Sequence, residues 1–170
     1  MMLKSLEEIL AGAASGIGRR WIAKLRASEN LKFLNTLSEG ELLSVHEAIL
    51  RELARWMDRS ADKNELGGFF VMMAKDYCAE GVPLSELTFA LMLGRKSVTE
   101  HILEEEELEG ALRIYTLMET VNMVADFFLL GVHYLTKGYL EGTFLRVMRG
   151  ENISTGILTK YFPDDFFFKD

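Results

Sequence analysis

The chain has 170 residues, 49% of them apolar, which is enough for one domain with a real core. Its 19 Lys and Arg against 26 Asp and Glu leave a net charge of −7. That balance excludes nucleic acid and anionic lipid surfaces as default partners, because both need concentrated positive charge.

Cys78 is the only cysteine, so an intrachain disulfide and a cysteine-based zinc site are excluded. Glu7 and Glu8 interrupt the place where a signal peptide would need an apolar run. The longest apolar stretch, Phe127 to Leu135, is nine residues, whereas a bilayer span takes about 20. A cytoplasmic protein without a membrane segment is expected.

With two prolines, no alternating Val/Ile/Thr runs and no Asn-Gly or Asp-Gly turns, strands are not expected. The pattern predicts five helices. The first runs from Leu3 to Ala27, with a break expected near Gly12–Gly18. Leu6, Ile9 and Leu10 form its early face, and Ile17, Trp21 and Leu25 its later one. The second opens at Ser38, with Glu41 three residues on as a capping box. Its stripe is Leu42, His46, Ile49, Leu53 and Trp56. A polar link, 59–64, precedes the third helix, Glu65 to Glu80. Phe69, Phe70, Met72, Met73, Tyr77 and Cys78 crowd that helix on most sides, which predicts a central position.

Gly81 suits a left-handed helix end, and Pro83 suits the first turn of the next helix. Leu84, Leu87, Leu91, Val98 and Ile102 then recur at helical spacing, with Gly94 in the gap, until the acidic run Glu104–Glu107. The fifth helix extends from Glu107 to Arg149. Val121, Ala125, Phe128, Val132, Leu135 and Tyr139 form a 4-3-4-3-4 seam along it, the pattern of a helix dimer interface. A helix of some 40 residues would reach about 60 Å, so it is expected to bend, to break near Gly131 or Gly138, or to project as a dimer arm. Residues 1–150 are read as one domain. Residues 151–170 are read as an aromatic, acidic tail, with Tyr161, Phe162, Phe166, Phe167 and Phe168 as a docking peptide for another protein or a cover for the domain's own helices.

Several motifs bear on chemistry. Gly12-Ala13-Ala14-Ser15-Gly16-Ile17-Gly18 copies the phosphate loop of short-chain dehydrogenases in letters. A helical pattern precedes it where that loop needs a strand, and no Tyr-x-x-x-Lys follows. Close helix contact or a helix break is the better reading. His46, on an apolar stripe, could be a core histidine or an axial ligand. His101 and Glu105 lack the further histidines a di-iron site needs, and His133 flanks the seam, so no metal site and no cofactor are assigned. No nucleophile and base are arranged for catalysis. Trp21, His46, Phe69, Phe70 and Met73 are the candidate ligand-pocket residues.

Ala79-Glu80-Gly81-Val82-Pro83-Leu84-Ser85-Glu86-Leu87 and Ala90-Leu91-Met92-Leu93-Gly94-Arg95-Lys96 resemble the N-terminal domain of RsbR-type stressosome regulators, the RsbT co-antagonist N-terminal family. Ile17-Gly18-Arg19-Arg20-Trp21 is similar to that family's opening helix. The resemblance implies an all-α, non-haem globin-like sensory domain, non-enzymatic and homodimeric, whose long last helix leads to an output domain. No catalytic residue carries over. The alternative is a carrier of haem or a fatty acid in a globin-like core, with His46 as axial ligand.

Overall fold

The computed structural model describes residues 6–104 and 111–150. Residues 151–170, including the aromatic tail, and 105–110, including most of the acidic run, lie outside the described residues. Among those described, the chain is all-α with no strand: α1 (Leu6–Arg26), α2 (Glu39–Met57), α3 (Lys63–Glu80), α4 (Leu84–Glu104) and α5 (Ala111–Met148). A single 3-10 turn, Leu34–Thr36, lies between α1 and α2.

The local signals act where elementary chemistry puts them. Ser38 caps α2, its side chain accepting from Glu41 N while Glu41 Oε2 accepts from Ser38 N at 2.8 Å. Asp62 and Glu65 form the same reciprocal box at the start of α3, a signal inside the polar link that the sequence reading passed over. Gly81 ends α3 in the left-handed region (φ 80°), with Val82 N donating to Tyr77 O and Gly81 N to Cys78 O, the Schellman pattern. Pro83 directly precedes α4.

α1 does not break. It is continuous through Gly12 and Gly16, and Gly18 is a contact point: a Cβ there would fall 2.9 Å from Leu43 Cδ2 and 3.5 Å from His46 Nδ1. Of the dehydrogenase-like letters, Gly18 lets α2 approach α1, whereas a Cβ at Gly12 or Gly16 would meet nothing within 4 Å. Leu10, Ile17, Trp21 and Leu25 form its buried stripe.

α5 does not break either. It is one helix of 38 residues, about 57 Å long, and its glycines are places of close packing rather than hinges. Among the described helices, α3 and α5 make the most extensive contact, and they run in the same direction. Gly67 meets Tyr134, Phe70 meets Gly131, and Cys78 meets Gly142. At Gly138 a Cβ would lie 2.6 Å from the Val71 carbonyl oxygen, so the two backbones nearly touch. Lys75 and Glu141 close this seam with an ion pair at 3.1 Å.

The prediction of a central α3 is corrected. One face, Leu66, Gly67, Phe70, Ala74 and Cys78, is buried against the core, while Met72 on the other side is 61% exposed. Its surplus of apolar residues lines an open trough.

Candidate functional site

Two spaces lie on either side of one wall. The inner space is a cavity of about 30 Å³ among all five helices, bounded by Trp21, Leu42, His46, Leu91, Gly94 and Phe128 among others. The outer one is a trough of about 740 Å³ between α2 and α3, open to solvent, with Val45, Ala48, Phe69, Met72, Met73 and Tyr77 as its apolar lining. Val45, Met73 and Tyr77 belong to both, so three side chains separate the trough from the core.

The Trp21 and His46 rings face each other in the wall of the inner cavity. The rings sit 4.8 Å apart at 33°, and Trp21 Nε1 donates to the Ala90 carbonyl at 2.8 Å, which anchors α1 to α4. His46 is 2% exposed, and its Nδ1 has no hydrogen-bond partner. Burial pushes its pKa down to about 4, so the ring is neutral at ordinary pH.

The trough has a different character. Glu41, Asp76 and Glu80 stand on its rim, and no Lys or Arg lines it. The Tyr77 phenol registers that setting: burial first, then the charges of Glu80, Glu41 and Asp76, raise its pKa to about 12.

The five candidate pocket residues divide between these spaces. Trp21, His46 and Met73 line the cavity, while Phe69 lines the trough. Phe70 lines neither; it is fully buried and packs edge-on to Phe69 and Phe127. Tyr77 and Val45, the other parts of the shared wall, were missed, because stripe spacing does not reveal which edge of a helix faces a gap. The haem fit fails on size. A cavity of about 30 Å³ walled by Trp21 and Phe128 is an order of magnitude below the roughly 300–1,000 Å³ of ordinary ligand sites. Among the described residues, no group of three or more His, Cys, Asp or Glu is placed to hold a metal ion.

The α5 seam turns inward. Phe128 and Leu135 are 1% and 2% exposed, Val121, Val132 and Tyr139 pack against the core, and Ala125 is half-buried. Tyr139 OH also donates to the Val82 carbonyl at 2.7 Å, tying α5 to the α3–α4 turn. A heptad-like seam serves a neighbouring helix of the same chain as well as one of another. Solvent instead meets Met118, Leu129 and Leu140, which recur every eleven residues and so share one face. By length and composition alone α5 is apolar enough to cross a membrane over Ile114–Met148, although part of that stretch is buried against the core.

No curated protein and no solved structure matches the chain. One family model does, that of the RsbT co-antagonist protein rsbRD N-terminal domain, over residues 15–141. The matched span takes in the Trp21–His46 pair, the trough and the Gly81–Pro83 turn, and stops near the end of the α3–α5 contact. Those residues carry most of the fold, and the chain belongs to the family of RsbT co-antagonist rsbRD N-terminal domains, a family of stressosome-type regulatory signalling domains.

Proposed function

We propose that the chain is a non-enzymatic sensory module that acts in the cytoplasm as a homodimer, with the partner contact along α5. The observation that carries this reading is the exposed apolar face of Met118, Leu129 and Leu140, flanked by half-buried Ala125 and Val132. A stripe of this kind on a long helix asks for a cover, and a second α5 supplies one of matching length. Because α3 and α5 pack backbone to backbone at Val71 and Gly138, a displacement of α3 would be passed to α5. That makes α5 the output element.

Analytical ultracentrifugation at tens of micromolar should give twice the 19.3 kDa chain mass. Leu129→Glu combined with Leu140→Glu should give a monomer of unchanged helicity. A monomeric unsubstituted chain would overturn the reading. Flotation of the chain with lipid vesicles would instead assign the exposed face to a bilayer.

A further inference from the structure

The trough between α2 and α3 is not needed for an α5 dimer, and nothing in the described fold fills it. We propose that it is a docking site for a basic amphipathic helix from a partner protein. Three features select that occupant. First, the floor is apolar and includes two methionines, Met72 and Met73, whose unbranched side chains adapt to different guests. Second, the rim carries Glu41, Asp76 and Glu80 with no cation among the lining residues, so Lys or Arg beside the guest's apolar face would be paired. Third, the α3 side runs from Phe69 to Glu80, about 16 Å, or three turns of a docked helix. An open trough of this width would leave a small molecule too exposed, since such ligands bury most of their surface.

Two segments of the chain itself fit less well. Residues 151–170 hold Lys160 and Lys169 against Glu151, Asp164, Asp165 and Asp170, so their charge opposes an acidic rim. The end of α5 is exposed and apolar at Phe144 and Met148, but Arg146 already donates to the Cys78 carbonyl at 3.0 Å. The shared wall gives docking a consequence: a guest pressing on Met73 and Tyr77 presses on the cavity that holds Trp21 and His46.

The test uses the full chain with ¹³C-methyl methionine and a synthetic Leu/Lys amphipathic peptide of about 15 residues, long enough to be helical. The methyl signals of Met72 and Met73 should shift on titration, while those of Met118 and Met148 on α5 stay in place. A Leu/Glu peptide of the same pattern should have no effect. Asp76→Lys with Glu80→Lys, both exposed positions, should weaken binding at least tenfold, and Glu29→Lys with Glu119→Lys less than twofold. The proposal is overturned by the absence of any shift, by equal weakening from the two charge reversals, or by shifts confined to Met118 and Met148. It is also overturned if a synthetic 151–170 peptide reproduces the Met72 shifts, which would give the trough to the chain's own tail. Loss of self-association in Met72→Lys would give it to a second copy. The α5 dimer is read separately by sedimentation, so either idea can fail alone.

Discussion

His46 and Glu86 show how much single buried polar groups decide here. The folded chain holds His46 with its pKa lowered to about 4, whereas the unfolded chain has it near 6.5. Between those values the unfolded state binds the extra proton, so His46's contribution is complete above pH 6.5 and is lost as the pH falls toward 4. The loss is on the order of 3 kcal/mol across the window. Urea unfolding from pH 4.5 to 7.5 should show it, and His46→Leu should flatten the curve; equal slopes in both proteins would refute the assignment. Glu86 is 5% exposed, and its carboxylate accepts from Phe33 N and Leu34 N at 3.0–3.1 Å, holding the 3-10 turn against α4. Glu86→Ala would strand both amides and should cost about 2–4 kcal/mol in chemical denaturation. Glu86 stood in the family-like motif as a letter without a role, because its partners lie more than fifty positions away.

At the scale of the helices, the outcome turns on glycine. Gly138→Ala would drive a methyl into the Val71 backbone and should destabilise by about 1–3 kcal/mol, with α3 and α5 forced apart. Gly12→Ala meets nothing within 4 Å on an exposed stretch of α1 and should stabilise by up to about 1 kcal/mol. Thermal melts of the two variants should move in opposite directions. The same residue type thus marks a close contact in one helix and an unneeded weakness in another. Spacing alone cannot tell these apart, which is why breaks were expected at Gly12–Gly18 and near Gly131 or Gly138. Caps were legible because their partners are local: Ser38–Glu41 was read directly, and Asp62–Glu65 was there to be read. Ser38→Ala and Asp62→Ala should each cost about 1 kcal/mol.

For the whole molecule, the proposed α5 contact would link stability to assembly. If a second copy covers Met118, Leu129 and Leu140, the folded form is favoured by mass action, and the melting temperature should rise with protein concentration. In Leu129→Glu with Leu140→Glu that dependence should vanish. A melting temperature independent of concentration in the unsubstituted chain would remove the dimer from the account. The ion pairs Arg20–Glu104 and Lys24–Glu100 that clasp α1 to α4 add little to this balance, being one-third exposed or more on at least one side.

By itself the sequence determined the all-α class, the five helices, the start of α2, the C-terminal end of α3 and the family, because each depends on periodicity, a cap or a short motif read within a few turns. Tertiary structure decided everything that depends on which helix faces which. It turned the α5 seam inward onto the chain's own core. It opened the trough along a helix expected to be central, and it shrank the space beside His46 to about 30 Å³. The physical reason is that an apolar stripe specifies burial but not the partner. Only the packing of α3 along α5, backbone against glycine, settles which apolar residues remain for something else to cover.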